Sequence, residues 1–259
     1  MYLLENHFAK ELLLAHVTIS LLLGSISMRT QKNLSDMKYI MPFISLLLFA
    51  CGGGQQAQGQ LQPSEYTVEP AAISASEAQA LDTATFAGGC FWCVEAVFER
   101  VKGVKSVISG YTGGEKVNPS YQEVAAGRTD HAESIQIFYD PNVVTYRELV
   151  EIFFGTHDPT QLNRQGPDVG KQYRSEVFYH DQQQQEIVRN YMEQLSQSGK
   201  YQDQIVTRVS ALDKFYVAED YHQNYYEYNP NDRYIVNIAV PKVEKFKKNF
   251  PNMLKEEVS

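Results

Sequence analysis

The sequence predicts an α+β fold, a ferredoxin-like two-layer sandwich of split β-α-β-β-α-β order with extra helices and an irregular C-terminal segment. Three observations predict it. Short apolar runs bounded by glycine alternate with segments of helical period, two of the helices open on a capping pair, and two consecutive strands have only a Gly/Asn/Pro-rich loop between them.

A chain of 259 residues, 43% hydrophobic and 21% charged, can bury one good core, so one main domain is expected, over residues 83–259. Its strands and helices follow in order. "TATFAGG" is a short strand closed by glycines. Val94, Val97, Phe98 and Val101 then fall at i, i+3, i+4 and i+7, one face of a helix that Gly103 ends. "VKSVISGY" is a strand and residues 112–130 a loop. In "HAESIQIFYD", Glu133 shares parity with Ile135, Ile137 and Tyr139, which puts a carboxylate on the apolar face of a strand. Thr145 and Glu148 form a capping box before Leu149, Ile152 and Phe153. "YRSEVFYH" is the next strand. Asp181 with Gln184 caps a helix carrying Ile187, Val188, Tyr191 and Leu195 up to Gly199, and "QIVTRVSAL" is the last strand.

The N-terminal part is a different kind of sequence. From Met37, "MKYIMPFISLLLFACGGG" has the layout of a secretory signal, with an apolar run over 39–50 too short to span a bilayer comfortably. Leu48-Phe49-Ala50-Cys51 resembles a bacterial lipoprotein signal, which makes Cys51 of residues 37–51 a lipidated membrane anchor. The implied location is the bacterial cell envelope, on its periplasmic or surface side. Residues 12–26 are also apolar but carry His16, and residues 1–36 read as an extension from a start codon placed too early. The alternative is that both runs form a helical hairpin or an uncleaved anchor. Residues 52–82, rich in Gly, Gln, Ala, Ser and Pro, read as a flexible tether. A formal charge of -8 argues against nucleic acid as a partner, since phosphate binding needs a basic field. The one basic run, Lys242, Lys245, Lys247 and Lys248, reads as a solvated helix or tail.

Chemistry concentrates in "GGCFWC", which holds two of the three cysteines and the single tryptophan. At the first turn of a helix, Cys90 faces unpaired N–H groups and the positive end of the dipole, which favour a nucleophilic thiolate. Cys93 lies about a turn away on the same side, in range of a disulfide if the turn adjusts. Phe91 and Trp92 offer an aromatic wall for a small apolar group that carries a polar electrophilic atom. Other readings compete. Half a zinc site lacks further cysteines and a nearby His pair, so no metal is expected. A thioredoxin-like redox pair is the stronger rival, although its spacer and element order differ. Trp92 as core filler, Glu133 as an ion-pair partner, and His157 and His222 as structural polar groups also stay open.

Together, "GGCFWCVEAVFERVKGVKSVISGYTGG", "NPSYQEVAAGRTDHAES", "YDPNVVTYRELVEIFFGTHDPTQLNRQGPDVGKQYRSEVFYH" and "AEDYHQNYYEYNP" resemble the peptide methionine sulfoxide reductase A family over residues 84–230. The resemblance implies an enzyme that reduces the S epimer of methionine sulfoxide, free or in proteins. It implies that Cys90 attacks the sulfoxide sulfur while Phe91 and Trp92 hold the methyl group. Glu133 would protonate the oxygen, a role that burial favours by keeping the acid neutral. Tyr121 and Tyr173 would hydrogen-bond the same oxygen, with Asp168 in the same pocket. Methionine leaves and Cys90 becomes a sulfenic acid. No bound cofactor is implied, only an external reductant such as thioredoxin, and a monomer is expected. The chain departs from the commoner pattern, which has glycine at the position of Cys93 and a recycling cysteine in a Gly-rich C-terminal tail. No cysteine follows residue 93. Cys93 is therefore the candidate resolving thiol, and the alternative is a one-cysteine cycle completed by an external thiol. Ala125-Ala126 and Asp130 also differ from the pattern, and "RYIVNIAVPKVEKFKKNF" has no assigned role. A second class of function, thiol-disulfide exchange through the CFWC pair alone, would leave Glu133, Tyr121, Tyr173 and Asp168 without a purpose.

Overall fold

The computed structural model describes residues 80–256. The expected N-terminal extension, the signal with Cys51, and the tether up to residue 79 lie outside the described residues. Strand β1 (Asp82–Gly88) leads through helix α1 (Phe91–Phe98) to β2 (Val104–Thr112), which returns as β3 (Ala132–Tyr139). Helix α2 (Tyr121–Ala125) lies in the connection between β2 and β3, and helix α3 (Tyr146–Thr156) follows β3. A two-stranded ribbon, β4 (Arg164–Gln165) with β5 (Asp168–Val169), precedes β6 (Ser175–Tyr179). Helix α4 (Gln182–Gln197), β7 (Arg208–Ala211), β8 (Tyr216–Val217) and helix α5 (Tyr225–Tyr228) come next, and helix α6 (Val240–Asn249) completes the series.

The main sheet has the order β7-β6-β1-β3-β2-β8. Its four inner strands are antiparallel throughout, and with the two crossover helices α1 and α3 they make the split β-α-β-β-α-β unit. The remaining strands extend its edges, β7 parallel to β6 and β8 antiparallel to β2. Period-2 patterning sets the inner face: Phe86 of β1 stacks on Phe153 of α3 with ring centroids 4.9 Å apart and lies 5.6 Å from Phe98 of α1. Each such fully buried side chain contributes about 1.5–3 kcal/mol. The caps read from sequence are present. Thr145 N–H donates to Glu148 Oε2 at 2.8 Å, and Asp181 Oδ1 accepts from Gln184 N–H at 2.8 Å.

Besides the added strands β4, β5 and β8, three parts of the chain differ from expectation. Helix α1 ends at Phe98, well before Gly103, because the C-terminal segment takes over the backbone of the next turn: Lys102 N–H donates to Met253 O and Lys255 N–H to Arg100 O. The loop after β2 contains α2, whose start is fixed by Ser120 N–H donating to Glu123 Oε2 at 3.1 Å. The C-terminal segment, expected to be irregular, makes a π turn over Ile235–Ala239 and then α6, with Ile235, Ala239, Val243 and Phe246 all fully buried. Helix α6 packs against α1 and α3. Lys245, Lys247 and Lys248 are exposed on it, as expected of a solvated run, but Lys242 turns inward.

Candidate active site

Strand β1 delivers the two cysteines to the mouth of α1. Gly88 lies against α3, where a Cβ would sit 2.8 Å from the Phe153 ring. Gly89 makes the turn with φ +97°, and a Cβ there would meet Gln165 at 2.8 Å. Cys90 is the N-cap of α1 and is only 6% exposed. Because β3 runs antiparallel to β1, its first residues lie beside that N-cap, and Phe91 N–H donates to Glu133 Oε2 at 3.1 Å. The helix N-terminus therefore holds the carboxyl group of Glu133, and the Cys90 sulfur caps no helix N–H.

Glu133, 2% exposed on the apolar face as its parity predicted, is pushed up to about 8, chiefly by burial and further by Asp168 and Cys93. It carries its proton at neutral pH. Burial likewise pushes the Cys90 thiol well up, with Cys93 and Glu133 adding to the effect. At the Cys90 sulfur, desolvation therefore opposes the pull of a helix end whose first N–H is already taken by Glu133. Cys93 moves the other way, down to about 7, mainly through the hydrogen bond from Cys90 and against its own burial. The two thiols interact as one buried pair, with Cys90 also beside Glu133.

Tyr121 at the start of α2 and Tyr173 in the 3-10 turn before β6 are half-buried neighbours of Cys90 and Glu133. Burial raises both hydroxyls, Tyr121 to about 12, so both remain donors. Glu219 ties this wall together by accepting from Tyr121 N–H at 2.9 Å and from the Tyr111 hydroxyl at 2.8 Å. Asp168 stands at the tip of the ribbon and accepts from the Tyr234 hydroxyl at 2.6 Å, and that hydroxyl lies 3.7 Å from Cys93 Sγ.

The aromatic pair divides. Phe91 is 1% exposed and packs among Tyr111, His222 and Trp92, whereas the Trp92 ring is part-exposed. Trp92 stacks on Tyr225 at 3.8 Å and donates from Nε1 to His222 Nδ1 at 3.1 Å. His222, lowered to about 4 by burial, is neutral, and its acceptor nitrogen fixes the indole. His157 has the structural role expected of it: its ring nitrogens bond Phe153 O and Ser175 Oγ, each at 2.7 Å.

Cys90, Cys93, Glu133, Phe91, Trp92, Tyr121, Tyr173 and Asp168 are thus brought to one end of the sheet, whereas Cys51 lies outside the described residues. Sequence reading missed Tyr225, Tyr234 and the orienting function of His222. The signal for Tyr234 was present in the helical spacing of Ile235, Ala239, Val243 and Phe246, which marks the C-terminal segment as core-packed.

A sequence model of the peptide methionine sulfoxide reductase family matches residues 82–254. The peptide methionine sulfoxide reductase MsrA of Natronomonas pharaonis is 55% identical over 168 residues, 65% of this chain and 94% of that protein. MsrA 1 of Rhodopirellula baltica is 52% identical over 174 residues, 67% of this chain and 90% of its own length. Among solved structures, reduced Mxr1 from Saccharomyces cerevisiae superposes with a TM-score of 0.55 at 36% identity, covering 60% of this chain and 88% of that one. Methionine sulfoxide reductase A of Corynebacterium diphtheriae gives 0.54 at 38%, covering 59% and 77%. With the family match spanning the whole sandwich and its site, the chain belongs to the peptide methionine sulfoxide reductase family.

Proposed function

We propose that this methionine sulfoxide reductase works through Cys90 as nucleophile, Glu133 as acid and Cys93 as resolving thiol. The observation that carries this reading is Glu133: a buried carboxyl, neutral at pH 7, beside a thiol at the end of a helix. A sulfoxide oxygen placed among Glu133, Tyr121 and Tyr173 meets three proton donors, which stabilise the charge that develops as its bond to sulfur breaks. Cys90 attacks the substrate sulfur, Glu133 gives its proton to the oxygen and the Cys90 proton replaces it on Glu133; the S–O bond to substrate breaks and the oxygen ends on Cys90 as S–OH. Trp92 offers the part-exposed face for the methyl group, and Phe91 supports it from below. Asp168 holds the Tyr234 hydroxyl at the entrance. The expected preference is for the S epimer.

Methionine then leaves Cys90 as a sulfenic acid. Cys93, the more acidic partner, attacks that sulfur, and the disulfide is reduced by an external dithiol of the thioredoxin class. Residues 37–51 support export and acylation at Cys51, which would set this repair in the cell envelope. Transfer of Cys51→Ser protein from the membrane to the soluble fraction would bear out the anchor, and unchanged membrane recovery would refute it.

The cycle is tested by a single turnover of the fully reduced chain, without recycling thiol, on separated epimers of N-acetyl-methionine sulfoxide. The expected result is one methionine per enzyme from the S epimer with two thiols lost. Methionine formed with a trappable sulfenic acid and Cys93 still free would remove Cys93 from the cycle. No methionine from either epimer would remove Cys90 and leave disulfide exchange.

A further inference from the structure

Behind α1, on the side away from Trp92, is a cavity of about 10 Å³ walled by Cys93, Gly88, Phe153, His157 and Lys242, close to the lower limit for one water. Lys242 comes from the first turn of α6, held there by the fully buried Ala239, Val243 and Phe246. Its Nζ is shut off from solvent and, among the described residues, has no hydrogen-bond partner. The ammonium reaches the backbone of the cysteine turn: a Cβ on Gly89 would sit 3.6 Å from it. A buried ammonium without a partner is costly unless a negative charge lies close by.

The groups facing Cys93 narrow the choice of that charge. On α1 itself, burial pushes the Cys90 thiol up, and from β3, Glu133 is neutral at pH 7. From the end of α3, His157 is lowered to about 4 by burial, with Lys242 pushing the same way, and is neutral. Asp168 of β5 is engaged by Tyr234, which comes from the segment before the π turn. Asp158, next to His157, accepts from Thr160 and Gln161, and neither it nor Asp168 lines the cavity; of the groups that do line it, Cys93 is the one able to carry a negative charge beside the ammonium.

We propose that Lys242 is a positioning residue for the second half of the cycle, its ammonium holding Cys93 as the thiolate that closes on Cys90. The inference rests on the reading of Cys93 as the resolving thiol. The Cys93 thiolate attacks the sulfur of the Cys90 sulfenic acid; the S–S bond forms and the S–O bond breaks. Hydroxide leaves as water with the proton that Cys93 gave up. When the external dithiol attacks the disulfide at Cys90, Cys93 departs as the same thiolate, again beside Lys242. The field of Lys242 acts in the direction required, pulling Cys93 down together with the hydrogen bond from Cys90.

The test uses the full chain and its Lys242→Met variant, with Lys242→Gln as a second neutral head for the same cavity should the methionine variant not fold. Enzyme is given one equivalent of the S sulfoxide, and disulfide closure is followed by thiol trapping and mass across pH. Loss of an opposite charge at this range moves the midpoint of closure upward by about 1–3 pH units, so that below it closure slows at least about tenfold. The thiol-disulfide equilibrium against glutathione gives a second readout. At alkaline pH the variant shifts toward the disulfide by about tenfold, about 30 mV, and the difference vanishes at acid pH, where Cys93 is a thiol in both proteins. A merely structural lysine would not produce that pH dependence. A folded variant with the wild-type midpoint and potential overturns the role of Lys242. Wild-type enzyme that makes methionine but never forms the disulfide overturns the Cys93 reading instead.

Discussion

Glu133→Gln separates the acid from everything else the site does. The carboxyl rises from the ordinary 4.5 to about 8, and the first cause is burial. At pH 7 about nine in ten copies then carry the proton, and at pH 9 about one in ten. The methionine-forming step should therefore fall off as pH climbs through about 8. The amide keeps the shape and can still accept from Phe91 N–H, but it gives no proton, so the rate should drop by about 10²–10⁴. Stability supplies a second readout. A carboxyl raised on folding binds its proton more tightly in the native state, so its contribution is complete below the unfolded pKa and is lost as pH rises toward the folded one. The shift corresponds to about 5 kcal/mol lost between pH 4.5 and about 8. The glutamine variant should lack that decline and unfold at higher urea than wild type at alkaline pH. Rapid-quench methionine formation and urea unfolding, each across pH, measure the two effects. A variant within about threefold of the wild-type rate, or one that keeps the alkaline limb, would refute Glu133 as the acid.

Other consequences are as direct. Cys93→Ser should still form one methionine per enzyme but stop at a sulfenic acid that dimedone traps, whereas continued thioredoxin-coupled turnover would show that an external thiol suffices. Trp92→Ala removes the stacked partner of Tyr225 and leaves His222 Nδ1 without its donor. It should raise KM much more than it lowers kcat, measured on N-acetyl-methionine sulfoxide. Phe246→Ala empties a fully buried site on α6 and should cost about 3–5 kcal/mol in urea unfolding; a loss below about 1 kcal/mol would mean that α6 contributes little to the core.

The split sandwich was legible because its core signals are local. Parity along "HAESIQIFYD" placed Glu133 inside, and the pairs Thr145/Glu148 and Asp181/Gln184 started their helices where the caps occur. What was not legible depends on residues far apart in the chain. Helix α1 stops early because Met253 and Lys255 claim its next turn, more than 150 residues downstream in a chain of 259. The balance of effects at Cys90 was out of reach for a related reason. The helix-end argument counts N–H groups along the helix and cannot see that Glu133 of another strand takes the first of them. Ser120/Glu123 was a readable capping pair inside a segment that its Gly, Asn and Pro content labelled as loop. Lys242 was grouped with three solvated lysines, although Val243 and Phe246 beside it fix which side of the helix faces in.

On the proposed cycle the C-terminal segment has no thiol to deliver, which is compatible with its helical form. A recycling cysteine carried on a distant tail needs a segment loose enough to bring it to the nucleophile. A resolving thiol three residues from Cys90 closes a loop of only a few residues, and the entropy of closure grows with loop length. The remaining requirement is geometric, since Cys93 N–H bonds Cys90 O at 3.2 Å and the first turn must rotate for the sulfurs to join. The C-terminal segment packs Val243 and Phe246 into the core and presents Tyr234 and Lys242 to the back of the turn. On this view the C-terminal segment, with no thiol to bring, would act on the cycle by setting the charge on the thiol in α1.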